Sequence, residues 1–149
     1  MLKNLKLLFL GESGVGKTSL IFKLISGEVP EEWRLLAGFS EIPHYDITLH
    51  SVNYQLWIYD SWKLDELDRR AILYADTDVF VLCFDISNRY SFESLSTRFI
   101  PELRVLMPNI PILLVGNKAD LRSSALNRYT FVVIRLSVLR RLLDNHKKV

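Results

Sequence analysis

The chain has one cysteine, no long apolar run and almost no net charge, and each shortage removes a class of protein. Cys83 is the single cysteine among 149 residues, so no disulfide framework can form and a reducing compartment fits best. It stands inside Val79-Phe80-Val81-Leu82-Cys83-Phe84, where a buried, inert thiol is the expected state. A formal net charge of +2 is too small to argue for nucleic acid or a membrane surface by itself. No apolar run reaches the ~20 residues of a spanning helix, and Met1 to Lys6 lack the h-region and cleavage site of a signal peptide. The last residues, Lys147-Lys148-Val149, offer no cysteine for prenylation. A soluble, cytoplasmic protein is expected. What is present is 49% hydrophobic and 24% charged residues, a globular composition without internal repeat, low-complexity tract or linker. The length suits a single domain over residues 1–149 with a sizeable core.

The chain is organised around Gly11-Glu12-Ser13-Gly14-Val15-Gly16-Lys17-Thr18, directly after the apolar run Leu7 to Leu10. Strand, Gly-rich loop and helix in that order make a P-loop, G-x-x-x-x-G-K-[ST]. Gly11, Gly14 and Gly16 let the backbone take positive φ and approach phosphate oxygens. The amides from Ser13 through Val15 to Lys17 then form an anion-binding nest, and the helix opening at Thr18-Ser19 turns its positive end to the same anion. Lys17 is assigned to the β- and γ-phosphates and the Thr18 hydroxyl to Mg²⁺.

Strands alternate with helices along the rest. Leu5 to Leu10 reads as a buried parallel strand, and Thr18 to Ser26 as a helix capped by Gly27. Glu28 to Trp33 reads as an acidic, Pro-broken surface loop. Tyr45 to Asp60 reads as two strands around a turn that has no Asn-Gly or Asp-Gly, with Tyr54, Leu56, Ile58 and Asp60 on one face. A short exposed helix is expected over Lys63 to Arg70, and strands over Val79 to Phe84 and Ile112 to Gly116. Between those strands, Ser91 to Leu106 carries a helical stripe of Phe92, Leu95, Phe99, Leu103 and Leu106, with Pro101 expected to kink it. The sum is an α/β class, a three-layer domain with a mainly parallel sheet.

A second motif, Gly116-Asn117-Lys118-Ala119-Asp120, follows a strand end, where open α/β sheets bind ligands. The Asp120 carboxylate can accept from the ring N–H and exocyclic amine of guanine, a pair adenine does not offer in that geometry. The Lys118 stem can lie over the base, and Asn117 can tie this loop to the P-loop.

With these residues in place the chain resembles the Ras-superfamily small GTPases over roughly residues 4 to 122. Thr77 to Ser87, Ser91-Phe92-Glu93 and Ile100-Pro101-Glu102-Leu103 are similar to the Rho branch. The segment from Gly11-Glu12 to Pro30-Glu31-Glu32, and later Ile42-Pro43, is similar to the N-terminal GTPase domain of Miro proteins. The resemblance implies a P-loop NTPase G-domain that binds GTP/GDP with Mg²⁺ and acts as a switch, with protein effectors and regulators as partners.

The family pattern breaks in three places. Where the family reads D-x-x-G-Q, this chain reads Asp60-Ser61-Trp62-Lys63-Leu64, without the glycine or the water-orienting glutamine. Asp60 suits the Mg²⁺ side through a water, or else caps a turn. Slow hydrolysis is implied, and with it the alternative of a non-catalytic adaptor acting through loops near Trp33, Trp57 and Trp62; a P-loop ATPase or kinase is more distant. No threonine lies between Thr18 and Thr48, which leaves Ser40 nearest the first-switch role. The tail is short for the family: Tyr129 to Leu136 can supply a strand and Ser137-Val138-Leu139 a base-contacting loop. Residues 122 to 149 hold seven Lys/Arg against a single acid, Asp144. That excess suits either peripheral contact with acidic lipid or an ordinary solvated face.

Overall fold

The computed structural model describes residues 2–27, 41–61 and 67–121. In chain order these form β1 (Leu2–Leu10), α1 (Lys17–Ser26), β2 (Glu41–Leu49), β3 (Val52–Asp60), α2 (Leu67–Tyr74) and β4 (Val79–Asp85). There follow α3 (Arg89–Ser94), a π-helical segment (Leu95–Phe99), α4 (Ile100–Leu106), β5 (Ile112–Asn117) and a 3₁₀ turn at Ala119–Leu121. The sheet order is β2-β3-β1-β4-β5. β1 runs parallel to β3 and β4, and β4 to β5, while β2 pairs antiparallel with β3.

Side chains alternate across a strand, so a strand covered on both faces must be apolar at every position. β1 shows this directly. Leu7 and Phe9 join Ile21 of α1, Leu56, Ile58, Val81 and Val115 in one core. Leu8 and Leu10 join Tyr74, Phe80, Leu95, Phe99 and Leu103 in the other. Helices therefore cover the sheet on both sides, the three-layer arrangement the alternation of elements predicts. β1 is longer than its apolar run, because pairing with β3 begins at Leu2 opposite Asn53.

The β2–β3 turn is made by His50 and Ser51, with φ of 49° and 65°. Two consecutive left-handed residues give the twist that a two-residue hairpin needs, here without the usual Asn-Gly. Gly27 closes α1 with φ 78°, its N–H donating to Lys23 O at 3.0 Å.

Two expectations require correction. The helix expected over Lys63 to Arg70 is found at Leu67–Tyr74, residues 62–66 lying outside the described residues. Arg70 is not a solvated end of it but 3% exposed. The stripe on the long helix is also narrower. Leu95, Phe99 and Leu103 are buried, whereas Phe92 and Leu106 are 48% and 46% exposed. The spacing of four between the three buried residues follows the wider π turn, so the outer two fall off the core face. That turn also accommodates Pro101: Ile100 N–H bonds back to Leu95 O, and the chain continues as α4 where the proline has no N–H to give.

Candidate functional site

Parallel pairing of β1, β3, β4 and β5 brings their carboxyl ends to one edge of the sheet. Gly11 follows β1, and Asp60, Asp85 and Asn117 are the last residues of β3, β4 and β5. Phe9 stands opposite Asp60, and Asp85 opposite Asn117. This edge is the ligand crevice of open α/β sheets.

The loop after β1 takes the conformation its glycines allow. Gly11, Gly14 and Gly16 have φ of 142°, 77° and 94°. At Gly11 the requirement is also steric, since a Cβ there would sit 2.1 Å from Cys83 O. Gly16 is the N-cap of α1, and no side chain caps that end, so its first-turn N–H groups are left for an anion. Ser13 and Gly14 are exposed at the loop tip, Val15 is buried and Ser19 half-buried. Lys17 is 6% exposed and folds across the loop, Nζ donating to Gly11 O at 2.8 Å and Glu12 O at 2.9 Å. Those carbonyl dipoles partly replace the water the ammonium has lost.

At the neighbouring strand end the Thr18 hydroxyl donates to Asp60 Oδ2. Both side chains are buried, at 8% and 2% exposure. A hydroxyl and a carboxylate side by side form an all-oxygen donor set, which suits a hard divalent cation such as Mg²⁺. Behind the loop, burial pushes the Cys83 thiol up to about 12; Lys17 draws it down and Asp60 up by smaller amounts. The thiol is inert, as its place in an apolar strand predicts.

The second motif meets the first through one contact. Asn117 Nδ2 donates to Val15 O at 3.0 Å, and the Asn117 side chain lies against the Cα of Gly16, where an added Cβ would be 3.5 Å from Nδ2. Lys118 adopts a left-handed φ of 62°, and its ammonium pairs with Asp85 Oδ2 at 2.7 Å. The hydrogen bonds from Lys118 and then from Ser87 hold the Asp85 carboxyl below the usual carboxylate range. Asp120 is exposed in the 3₁₀ turn, which closes with Leu121 N–H on Lys118 O at 3.0 Å. Ser137 and Val138 lie outside the described residues, as do Trp33, Ser40, Trp62, Lys63 and Leu64. Trp57 is half-buried on β3, its ring 5.5 Å from that of His44.

Three contributors escape a reading of sequence alone. Asp85 joins the 116–120 loop from the end of β4, a position whose only signal is that it ends an apolar run. Arg98, in the π segment, reaches the P-loop at Glu12 Oε1 (3.3 Å) with its guanidinium 5.1 Å from the Phe99 ring centre. Arg70, Tyr74 and Glu102 clamp α2 to α4, with Arg70 Nη2 2.7 Å from Glu102 Oε2. No local pattern marks the last two, because the partners are far apart in sequence.

Helices on both faces of a mainly parallel sheet, with a P-loop at the carboxyl end of its central strand, define a P-loop NTPase-type α/β domain. Comparison with known proteins narrows the class. The Ras family model matches residues 6–138. The chain is also 36% identical over 123 residues to the Ras-like GTP-binding protein RHO1 of Entamoeba histolytica, an overlap of 80% of this chain and 55% of that protein. It thus spans about half the length of that curated relative. The chain belongs to the Ras family of small GTPases, with a Rho-like closeness.

Proposed function

We propose that this chain is a guanine-nucleotide switch that binds GTP and GDP with Mg²⁺ and hydrolyses GTP slowly. The observation that carries the reading is the bond from Asn117 Nδ2 to Val15 O. It joins the loop suited to phosphate and the loop suited to guanine into one crevice. In that crevice Gly11 to Ser19 supply amide donors, Lys17 meets the β- and γ-phosphates, and Asp120 accepts from the guanine edge. Lys17 is the residue proposed to act on the reacting phosphate. Thr18 would ligate Mg²⁺ directly and Asp60 through a water, the ion supplying charge neutralisation between the phosphates. Ser137 and Val138 are assigned to the far side of the base on the family resemblance alone. Membership of the Ras family and likeness to a protein named for GTP binding support the nucleotide.

Slow hydrolysis rests on the sequence after Asp60, which has neither the glycine nor the glutamine of the family pattern. Phosphoryl transfer depends on positioning and electrostatics, so a missing water-orienting group costs rate rather than binding. Protein effectors and regulators are the partners proposed, with acidic lipid as a further contact for the basic 122–149 segment. Among the described residues no helix is long and apolar enough to cross a membrane.

The test has two stages. Chromatography of the nucleotide released from purified protein should give GDP or GTP, and ATP should fail to displace labelled GDP. Single-turnover hydrolysis of radiolabelled GTP then separates a slow GTPase from a non-catalytic adaptor: phosphate release at the buffer rate would remove the enzymatic part of the proposal. Asp120→Ala should weaken GTP at least ~100-fold, as expected for losing a built hydrogen-bonding partner, with little change in unfolding temperature. Unchanged affinity would remove Asp120 from base recognition.

A further inference from the structure

We propose that Asp85 is a positioning residue for the nucleotide. It holds the Lys118 side chain in place for the base, and thereby sets how long the nucleotide stays bound. The inference rests on the nucleotide reading above and names a residue that reading does not contain.

Asp85 is the last residue of β4, opposite Asn117 in the register with β5. Its carboxylate is 9% exposed and divides its two oxygens between two tasks. Oδ2 takes the Lys118 ammonium at 2.7 Å. Oδ1 accepts from Ser87 N–H at 2.8 Å and from the Ser87 hydroxyl at 2.6 Å. The carboxylate therefore has a fixed orientation before any contact with lysine.

The backbone around it is fixed as well. Asp85 N–H donates to Ser91 Oγ at 3.0 Å, and Ile86 N–H donates to Asn117 O at 3.1 Å. Asn88 caps α3 by accepting from Ser91 N–H. Against this hydrogen-bonded turn stands Lys118, a four-carbon stem ending in a compact charge that has many rotamers when unpaired. Pinning its ammonium at Asp85 removes that freedom in advance, so less entropy is lost when a base settles beneath the stem. The pair is a weak candidate for stability alone. Lys118 is 37% exposed, where ion pairs contribute little to folding, and backbone bonds already close the turn. Its position beside the base loop is where ordering a side chain has an effect.

The experiment uses the full chain loaded with a fluorescent GDP analogue and follows its release into excess GDP. Wild type, Asp85→Ala, Lys118→Met and the double variant make a thermodynamic cycle. Asp85→Ala should release the analogue about 10-fold faster, equivalent to ~1.4 kcal/mol. The double variant should release it no faster than Lys118→Met alone, because Asp85 acts through Lys118. Asp85→Asn keeps size and removes charge, and carries the cycle if the alanine variant does not fold. Ser87→Ala should shift release in the same direction by less. A merely structural Asp85 would add its effect to that of Lys118→Met, and additivity overturns the proposal. So does release at the wild-type rate from Asp85→Ala or Asp85→Asn. A wild-type protein that takes up no guanine nucleotide refutes the nucleotide reading itself, an outcome visible before any variant is compared.

Discussion

Replacing Arg70 by methionine removes one partner of an ion pair that has left water almost completely. The Arg70 and Glu102 side chains are 3% and 10% exposed. They meet at two points, Nη2 to Oε2 at 2.7 Å and Nε to Oε1 at 3.3 Å. The Tyr74 hydroxyl also donates to Glu102 Oε1, and the guanidinium lies 5.4 Å from the Phe99 ring centre. Burial alone pulls the Arg70 pKa down, but the bonds to Glu102 and Tyr74 outweigh it and raise the value. Burial and then the Glu102 bond push the Tyr74 hydroxyl up in turn. The substitution strands a buried carboxylate, which costs about 3–5 kcal/mol. Domains are stable by only ~5–15 kcal/mol, so about a fifth or more of the total is at stake. With an unfolding entropy of about 2.1 cal/mol/K per residue, the midpoint should fall by about 10–15 °C for a domain of this size. The companion change Glu102→Leu takes the carboxylate away from the buried guanidinium and should lower the midpoint as well. The double variant Arg70→Met/Glu102→Leu removes both charges of the pair and should return to within ~2 kcal/mol of wild type, less about 1 kcal/mol for the Tyr74 bond. Thermal unfolding followed by circular dichroism, at one pH and salt concentration, measures all four proteins. Single variants within ~1 kcal/mol of wild type, or a double variant below both singles, would show that the pair is not a desolvated clamp.

Three further outcomes follow from the geometry. Gly11→Ala puts a methyl 2.1 Å from Cys83 O at a φ of 142°, and because that oxygen belongs to the backbone, β1 and β4 must part or the loop must move. Nucleotide affinity and unfolding temperature should drop together, and a normal melting curve with normal binding would contradict the close approach. Cys83, with its thiol pushed up to about 12 by burial, should resist a charged thiol reagent at neutral pH and react once the protein is unfolded; labelling of the folded protein would refute its burial. Asp85 titrates below its ordinary value because of Lys118 and then Ser87. Its contribution to stability is therefore complete above about pH 4, the unfolded carboxylate value, and is lost as pH falls through the depressed folded value. That contribution is small, so the direct check is a carboxyl NMR titration of the folded protein: the Asp85 midpoint should lie below that of a free carboxylate and rise in Lys118→Met, and a midpoint indifferent to Lys118 would argue against the pairing.

The contrast between the two loops and the clamp shows what a linear reading can reach. Gly11 to Thr18 and Gly116 to Asp120 are legible because each packs its chemistry into a few consecutive residues on the end of an apolar strand. The three-layer sheet is legible for a related reason. A strand covered on both faces must be apolar throughout, and Leu7 to Leu10 and Val79 to Phe84 say so without a partner in view, whereas in the equally apolar Ile112 to Val115 Leu114 is 50% exposed. The stripe on the long helix was only half legible, because periodicity assumes one helical pitch and the Leu95–Phe99 π segment has another. The tie from Asn117 to the P-loop was legible in the motif and is made at the Val15 carbonyl, but the fold alone decided that Lys118 would find Asp85 and that Arg70 would be buried against Glu102. Each of those contacts joins residues from different elements, and a charge reads as solvated in sequence until packing supplies the partner that removes it from water. The sequence by itself determined a Gly-rich loop of the phosphate-binding pattern, a second loop at a strand end and the layers that carry them. Tertiary structure supplied the contact through which the two loops meet, Asn117 Nδ2 on Val15 O, because parallel strands of matched register deliver their carboxyl ends to the same edge.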